Sequence, residues 1–143
     1  MSFDFKLENG SITIKNGKLV LVENTNKLIQ DILKVCLTDV GSNSLQPWYG
    51  SYLSRSVVGN VLDVKMTETI ATTQLKNAIE NLMLLQQEQL NYSRQNVTAS
   101  EHIAAILDVS IRRNSQDPRL YIVLVSVLTK AFEIKTTSFN LVT

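Results

Sequence analysis

The residue types that carry most enzyme chemistry are scarce in this chain. His102 is its one histidine and Cys36 its one cysteine. A zinc site built on imidazole and thiolate takes three or four such ligands, and a single cysteine cannot close an internal disulfide. Cys36 sits among Ile32, Leu33, Val35 and Leu37, the setting of a buried core thiol rather than a reactive thiolate. No glycine-rich phosphate loop, nucleophile elbow or helical His-Glu-His pair occurs. Carboxylates are more plentiful, at 13. A glycosidase needs two of them about 5–9.5 Å apart, one in an apolar pocket. Glu101 and Asp108 fall in or beside a strand-like stretch, and Glu68, Glu80 and Glu88 along a helical one. Each reads as part of an ordinary solvated face. The expectation is no catalytic residue, no cofactor and no metal.

One short constellation does aim a side chain. In "NSQDPRLYIVLVSVL", residues 114–128, Asn114, Ser115 and Asp117 can bond their own local backbone. Pro118 fixes φ and has no N–H to donate. Arg119 leaves this rigid turn able to form a bidentate pair with a carboxylate of the same chain or of a partner. A merely solvated arginine there would contribute under ~1 kcal/mol. The nine residues after it carry no charge on either face.

The elements that position these groups follow from periodicity. "FDFKL", "SITI" and "LVLV" are separated by Asn-Gly at 9–10 and 16–17, a strong hairpin signal, so residues 1–23 are expected to form a β-meander. Asn24 or Thr25 can cap a helix whose stripe is Leu28, Ile29, Ile32, Leu33, Cys36 and Leu37, ended by Gly41. A loop containing Pro47, Trp48, Tyr49 and Gly50 leads to a short helix over "SYLSRSVVGNVL". A long helix then covers about 66–92, with Met66, Ile70, Leu75, Ala78, Ile79, Leu82, Leu85, Gln86 and Gln89 along one face. Its run Leu82–Leu85 suits core packing, or a partner helix. Residues 24–95 thus form a helical region. Beyond it, Thr98 with Glu101 makes a capping box, which favours a helix, whereas Ile103, Ala105, Leu107, Val109 and Ile111 alternate, which favours a strand. The strand is the preferred reading, because a turn and "LYIVLVSVLT" follow. With "FEIKTTSFNLV" last, residues 100–143 read as C-terminal strands in a single α+β domain.

Composition sets outer limits. An apolar fraction of 44%, a charged fraction of 19% and a net charge of +1 describe an ordinary globular chain. Without a basic block, nucleic acid is not an expected partner. No apolar run reaches the roughly 18 residues of a membrane span, and "MSFDFKLENG" has the features of no secretory signal, so synthesis and folding in the cytoplasm are expected.

The stretch "LENGSITIKNGKLVLVENTNKLIQDILKVCLTDVGSNSLQPWYGSYL" resembles the baseplate wedge and sheath-initiator family of contractile-tailed phages, whose relatives occur in type VI secretion baseplates and contractile bacteriocins. In that family a helix ends in Leu-Leu-Thr and a glycine, followed by a proline, an aromatic, a second glycine and a leucine. The matching positions are Leu37, Thr38, Gly41, Pro47, Tyr49, Gly50 and Leu53. Where the family often has Gly-Glu-Arg or Gly-Glu-Trp, this chain has Gly41-Ser42-Asn43. A Glu-Pro-Arg signature opens the family's C-terminal strands, and Asp117-Pro118-Arg119 looks like its Asp variant. In a second register "SEHI", with Glu101, takes that place and Asp117-Pro118-Arg119 is only a hairpin tip.

The resemblance implies a non-enzymatic virion subunit, made in the host cytoplasm and present in six copies in the baseplate. It would join wedge and hub proteins and present its C-terminal strands to the tail sheath protein. Strand addition at Leu120, Ile122, Leu124, Phe139 and Leu141 would satisfy main-chain groups, with side chains setting the register; the alternative is an ordinary core hairpin. Trp48 and Tyr49 either fix their loop or serve as interface aromatics. Two rival readings stand beside this one, a peptidoglycan hydrolase of the tail and a helical adaptor that dimerises through its long helix.

Overall fold

The computed structural model describes residues 2–58, 63–92 and 96–143. Its N-terminal part takes both Asn-Gly turns. Asn9 and Gly10 have φ 52° and 78°, and Asn16 and Gly17 have φ 51° and 72°, the left-handed pair that a two-residue hairpin requires. The meander is closed on itself. Strands β1 (Phe3–Phe5) and β6 (Leu21–Glu23) pair as a stem, β2 (Leu7–Glu8) with β3 (Ser11–Ile12) as one arm, and β4 (Ile14–Lys15) with β5 (Lys18–Leu19) as another. The three arms meet in a ring of backbone bonds. Lys6 N–H donates to Val20 C=O (2.8 Å), Val20 N–H to Thr13 C=O (3.1 Å) and Thr13 N–H to Lys6 C=O (2.9 Å).

Helix α1 (Asn24–Leu37) follows at once, buried along Leu28, Ile32, Val35 and Cys36. The expected cap by Asn24 or Thr25 is not used. Glu23 occupies the cap position without a side-chain bond, and Asn24 has φ 53°. The Asn24 N–H is taken instead by the carboxylate of Glu101 at 3.1 Å. The helix also stops short of Gly41, because Thr38 turns extended and its hydroxyl closes on Lys34 C=O at 2.6 Å.

Helix α2 (Leu53–Val57) buries Leu53 and Val57, and the far end of the helix expected through Leu62 lies outside the described residues. Helix α3 (Val64–Tyr92) starts at Asp63, whose carboxylate accepts the Val64 N–H. It buries Thr67, Ala71, Leu75, Ala78, Ile79, Leu82 and Gln86. Met66, expected on that face, is 56% exposed, since a one-residue offset on a helix turns the stripe by about 100°.

The chain ends in an antiparallel sheet of order β7 (Ile103–Arg113), β8 (Leu120–Thr129), β9 (Ile134–Val142). The protein is therefore α+β, with short strands first, a long helix in the middle and a three-stranded sheet last. Between the Thr98–Glu101 turn and β7 the strand wins over the helix. Only half of the capping box forms, Thr98 N–H to Glu101 Oε2 at 3.0 Å, and the chain then extends. The inner sheet face places Ile103, Ile111, Tyr121, Val123, Val125 and Val127 in one core with the three helices, each such side chain contributing about 1.5–3 kcal/mol relative to exposure.

Candidate interaction surface

The two outer edges of the C-terminal sheet differ. Strand β7 has register shifts between Ile103 and Ala105 and between Ile106 and Asp108, and such bulges spoil an edge for further pairing. Helix α3 also closes both ends of that edge. Its Gln86 Oε1 accepts Ile103 N–H at 3.0 Å and its Glu68 Oε1 accepts Arg113 N–H at 2.9 Å. Strand β9 pairs with β8 over nine consecutive residues without a shift. Bonds from Thr129 N–H to Glu133 C=O and from Thr143 N–H to Arg119 C=O fix which residues of β9 face β8. By alternation, Ile134, Thr136, Ser138, Asn140 and Val142 turn their N–H and C=O groups outward. No described residue bonds them. Their side chains are exposed as well, so this edge is flat, regular and open.

The five residues expected to mark strand addition divide between two faces. Leu120, Ile122 and Leu124 lie on the outer face of β8, and Phe139 and Leu141 on the inner face of β9, packed against the core. Strand β8 is central, so its backbone is already paired on both sides. Of these two strands, β9 is the one that offers main-chain groups. Asp117, Pro118 and Arg119 form the exposed tip of the β7–β8 hairpin. Asp117 Oδ1 accepts Arg119 N–H at 3.0 Å and Pro118 C=O accepts Arg113 Nε at 2.7 Å. Among the described residues no carboxylate meets the Arg119 guanidinium.

Glu101 has the opposite environment. It opens β7, is 2% exposed, and accepts Ser2 Oγ (2.9 Å), Asn24 N–H (3.1 Å) and Thr98 N–H (3.0 Å). Beside it the buried Gln86 amide donates to Glu101 C=O (2.9 Å) while accepting Ile103 N–H. Sequence reasoning placed Gln86 on the buried stripe but gave it no task. A carboxamide one turn beyond Leu82 on such a stripe was the available signal. His102 is buried, its Nε2 without a partner among the described residues, and burial, with Lys130 nearby, pushes its pKa below the ordinary value. Burial pushes the Cys36 thiol up to about 12, so it stays protonated and unreactive.

The loop after α1 is tied at its neck. Ser51 N–H donates to Thr38 C=O (2.8 Å), Ser51 Oγ to Cys36 C=O (2.6 Å) and Gly41 N–H to Pro47 C=O (3.0 Å). Gly50 has φ 116°, and a Cβ there would stand 2.4 Å from Thr38 O. Leu53 is core, and Tyr49 packs against the core, whereas Trp48 is 44% exposed. Of the two aromatics, Tyr49 serves the loop and Trp48 is open to contact. Tyr49 also lines a groove of ≈ 530 Å³ together with Lys27, Asp31, Lys34, Leu85 and Glu88. Two carboxylates therefore share this groove, and Asp31 is ion-paired with Lys27 at 2.6 Å and Lys34 at 3.5 Å. Among the described residues no cluster of three or more potential metal ligands occurs, and no helix is long and apolar enough to cross a membrane.

An α+β fold with one long helix under a terminal three-stranded sheet has a solved counterpart. The chain is similar to the crystal structure of a "putative tail lysozyme" from Geobacter sulfurreducens, with a TM-score of 0.55 and 10% identity over 80% of this chain and 86% of that one. The likeness is one of fold. No family model and no curated protein matches the sequence.

Proposed function

We propose that this chain is a structural, non-enzymatic subunit of a contractile phage tail baseplate. In this reading it joins wedge and hub proteins, in six copies around the tail axis, and starts the sheath by accepting a strand from the sheath protein along β9. The observation that carries the reading is the open rim of β9, with five residues whose main-chain donors and acceptors have no partner among the described residues, beside a β7 edge that is bulged and bonded to α3 at both ends. Strand addition is a common way to use such a rim, and leaving it uncovered invites aggregation. The fold likeness to a protein described as belonging to a tail supports the location. In this reading the register with Glu101 in the signature position is preferred, since Glu101 is buried just before β7 whereas Asp117 lies at an exposed hairpin tip.

The test separates the rim from the fold. Ser138 turns its N–H away from β8, whereas Thr137 turns its N–H toward it. Proline at an edge position whose N–H faces outward leaves the existing ladder intact. Ser138→Pro is expected to fold and enter baseplates yet to start no sheath. Normal sheath on Ser138→Pro baseplates would refute strand addition at β9. A second reading, a cell-wall hydrolase, draws on Asp31 and Glu88 in one groove and on the description of the Geobacter protein. Against it, Asp31 is paired to two lysines instead of lying in the apolar pocket a general acid needs. Purified protein is expected not to clear a peptidoglycan suspension; clearing abolished by Asp31→Asn or Glu88→Gln would reverse the assignment.

A further inference from the structure

We propose that the three-armed N-terminal motif is a docking face, and that its occupant is the same face of a second copy of this chain. Three cross-strand pairs, Phe5 with Leu21, Leu7 with Ile12 and Ile14 with Leu19, stand at the roots of the three arms. Paired residues share a face, and so do residues two apart on one strand. Phe5–Leu7, Ile12–Ile14 and Leu19–Leu21 therefore close the six side chains into one ring around the junction. Lys6, Thr13 and Val20, whose backbones form the junction, point to the other face, as do Glu8, Lys15 and Lys18. The ring carries no charge. Its members are nonetheless 40–64% exposed, which is unusual for six adjacent large apolar side chains in a small protein.

The platform is held in place. The Gln30 amide bonds the outer edge of the first strand segment, accepting Leu7 N–H (2.9 Å) and donating to Phe5 C=O (2.8 Å) and Asp4 Oδ2 (2.9 Å), and Lys34 pairs with Asp4. With that edge occupied by a helix side chain, the motif is left to bind through its face. Taking roughly 200 Å² for each large apolar residue, the ring and the neighbouring Phe3 leave about 650 Å² open. Two such faces in contact would remove up to about 1,300 Å², at the lower end of the range for specific interfaces. The six-membered ring itself carries no charge, the nearest on that face being Glu23 opposite Phe3 at the foot of the stem, so two rings can meet centre to centre, and a two-fold contact needs only self-complementarity.

Sedimentation equilibrium of the full chain between ~10 µM and ~1 mM tests this, alongside Ile14→Asp and Leu84→Asp. Ile14 and Leu84 are 64% and 59% exposed, so both variants should keep the wild-type thermal unfolding transition. A concentration-dependent wild-type dimer, at least tenfold weaker in Ile14→Asp and unchanged in Leu84→Asp, is the expected result. Three outcomes would overturn the proposal: a wild-type monomer at every concentration, a dimer indifferent to Ile14→Asp, or one broken by Leu84→Asp, which would point to α3. Should Ile14→Asp unfold, Leu19→Ser is read in its place with the same criteria.

Discussion

Gln86 and Glu101 show how far a single polar side chain can reach in this protein. The Gln86 amide holds both Glu101 C=O and Ile103 N–H, and so fixes where β7 begins. Gln86→Leu keeps the volume and leaves two buried main-chain groups unpaired, at a cost of about 2–4 kcal/mol. A lower urea midpoint at unchanged slope would register it. The neighbouring His102 gives a pH dependence. Its folded pKa lies below the unfolded value, so its contribution is complete above about pH 6.5 and is lost as pH falls from there through the folded value. Stability measured against pH should decline below that point in the wild type and less steeply in His102→Gln. An equal slope would show that the unpartnered Nε2 is not what acid titrates.

At the scale of elements, the loop between α1 and α2 depends on Gly50. A methyl group there would meet the Thr38 carbonyl at 2.4 Å in a backbone conformation that side chains rarely adopt. Gly50→Ala should cost at least about 2 kcal/mol, read as a lowered thermal midpoint, whereas Gly41→Ala, with open space around it, meets only the backbone penalty. Legibility also divides by element. The Asn-Gly hairpins, α3 and the three C-terminal strands were readable because local pattern and tertiary packing agree there. The start of α1 was not, since its cap comes from Glu101, 77 residues away in the chain. The Thr98–Glu101 capping box, set aside in favour of a strand, starts no helix for the related reason that its carboxylate is shared with Ser2 and Asn24.

The whole molecule places two open surfaces at different positions, the apolar ring at the N-terminal motif and the bare rim of β9. Neither was fully legible. The two Asn-Gly pairs marked the turns of a meander, but closing three arms into a ring takes the stem pairing of residues 3–5 with 21–23, a long-range event. The C-terminal strands were recognisable from composition, yet which of them is central is a property of the sheet, and it moves the candidate contact from Leu120, Ile122 and Leu124 to the outward groups of Ile134 through Val142. The inequality of the two sheet edges has one more consequence. Endless stacking of identical subunits into a filament requires every copy to give one edge and receive another. With β7 bulged and bonded to α3 at both ends, β9 is the regular edge, and two copies that met through β9 would exhaust each other and stop, so the two unlike edges work against endless self-stacking through this sheet.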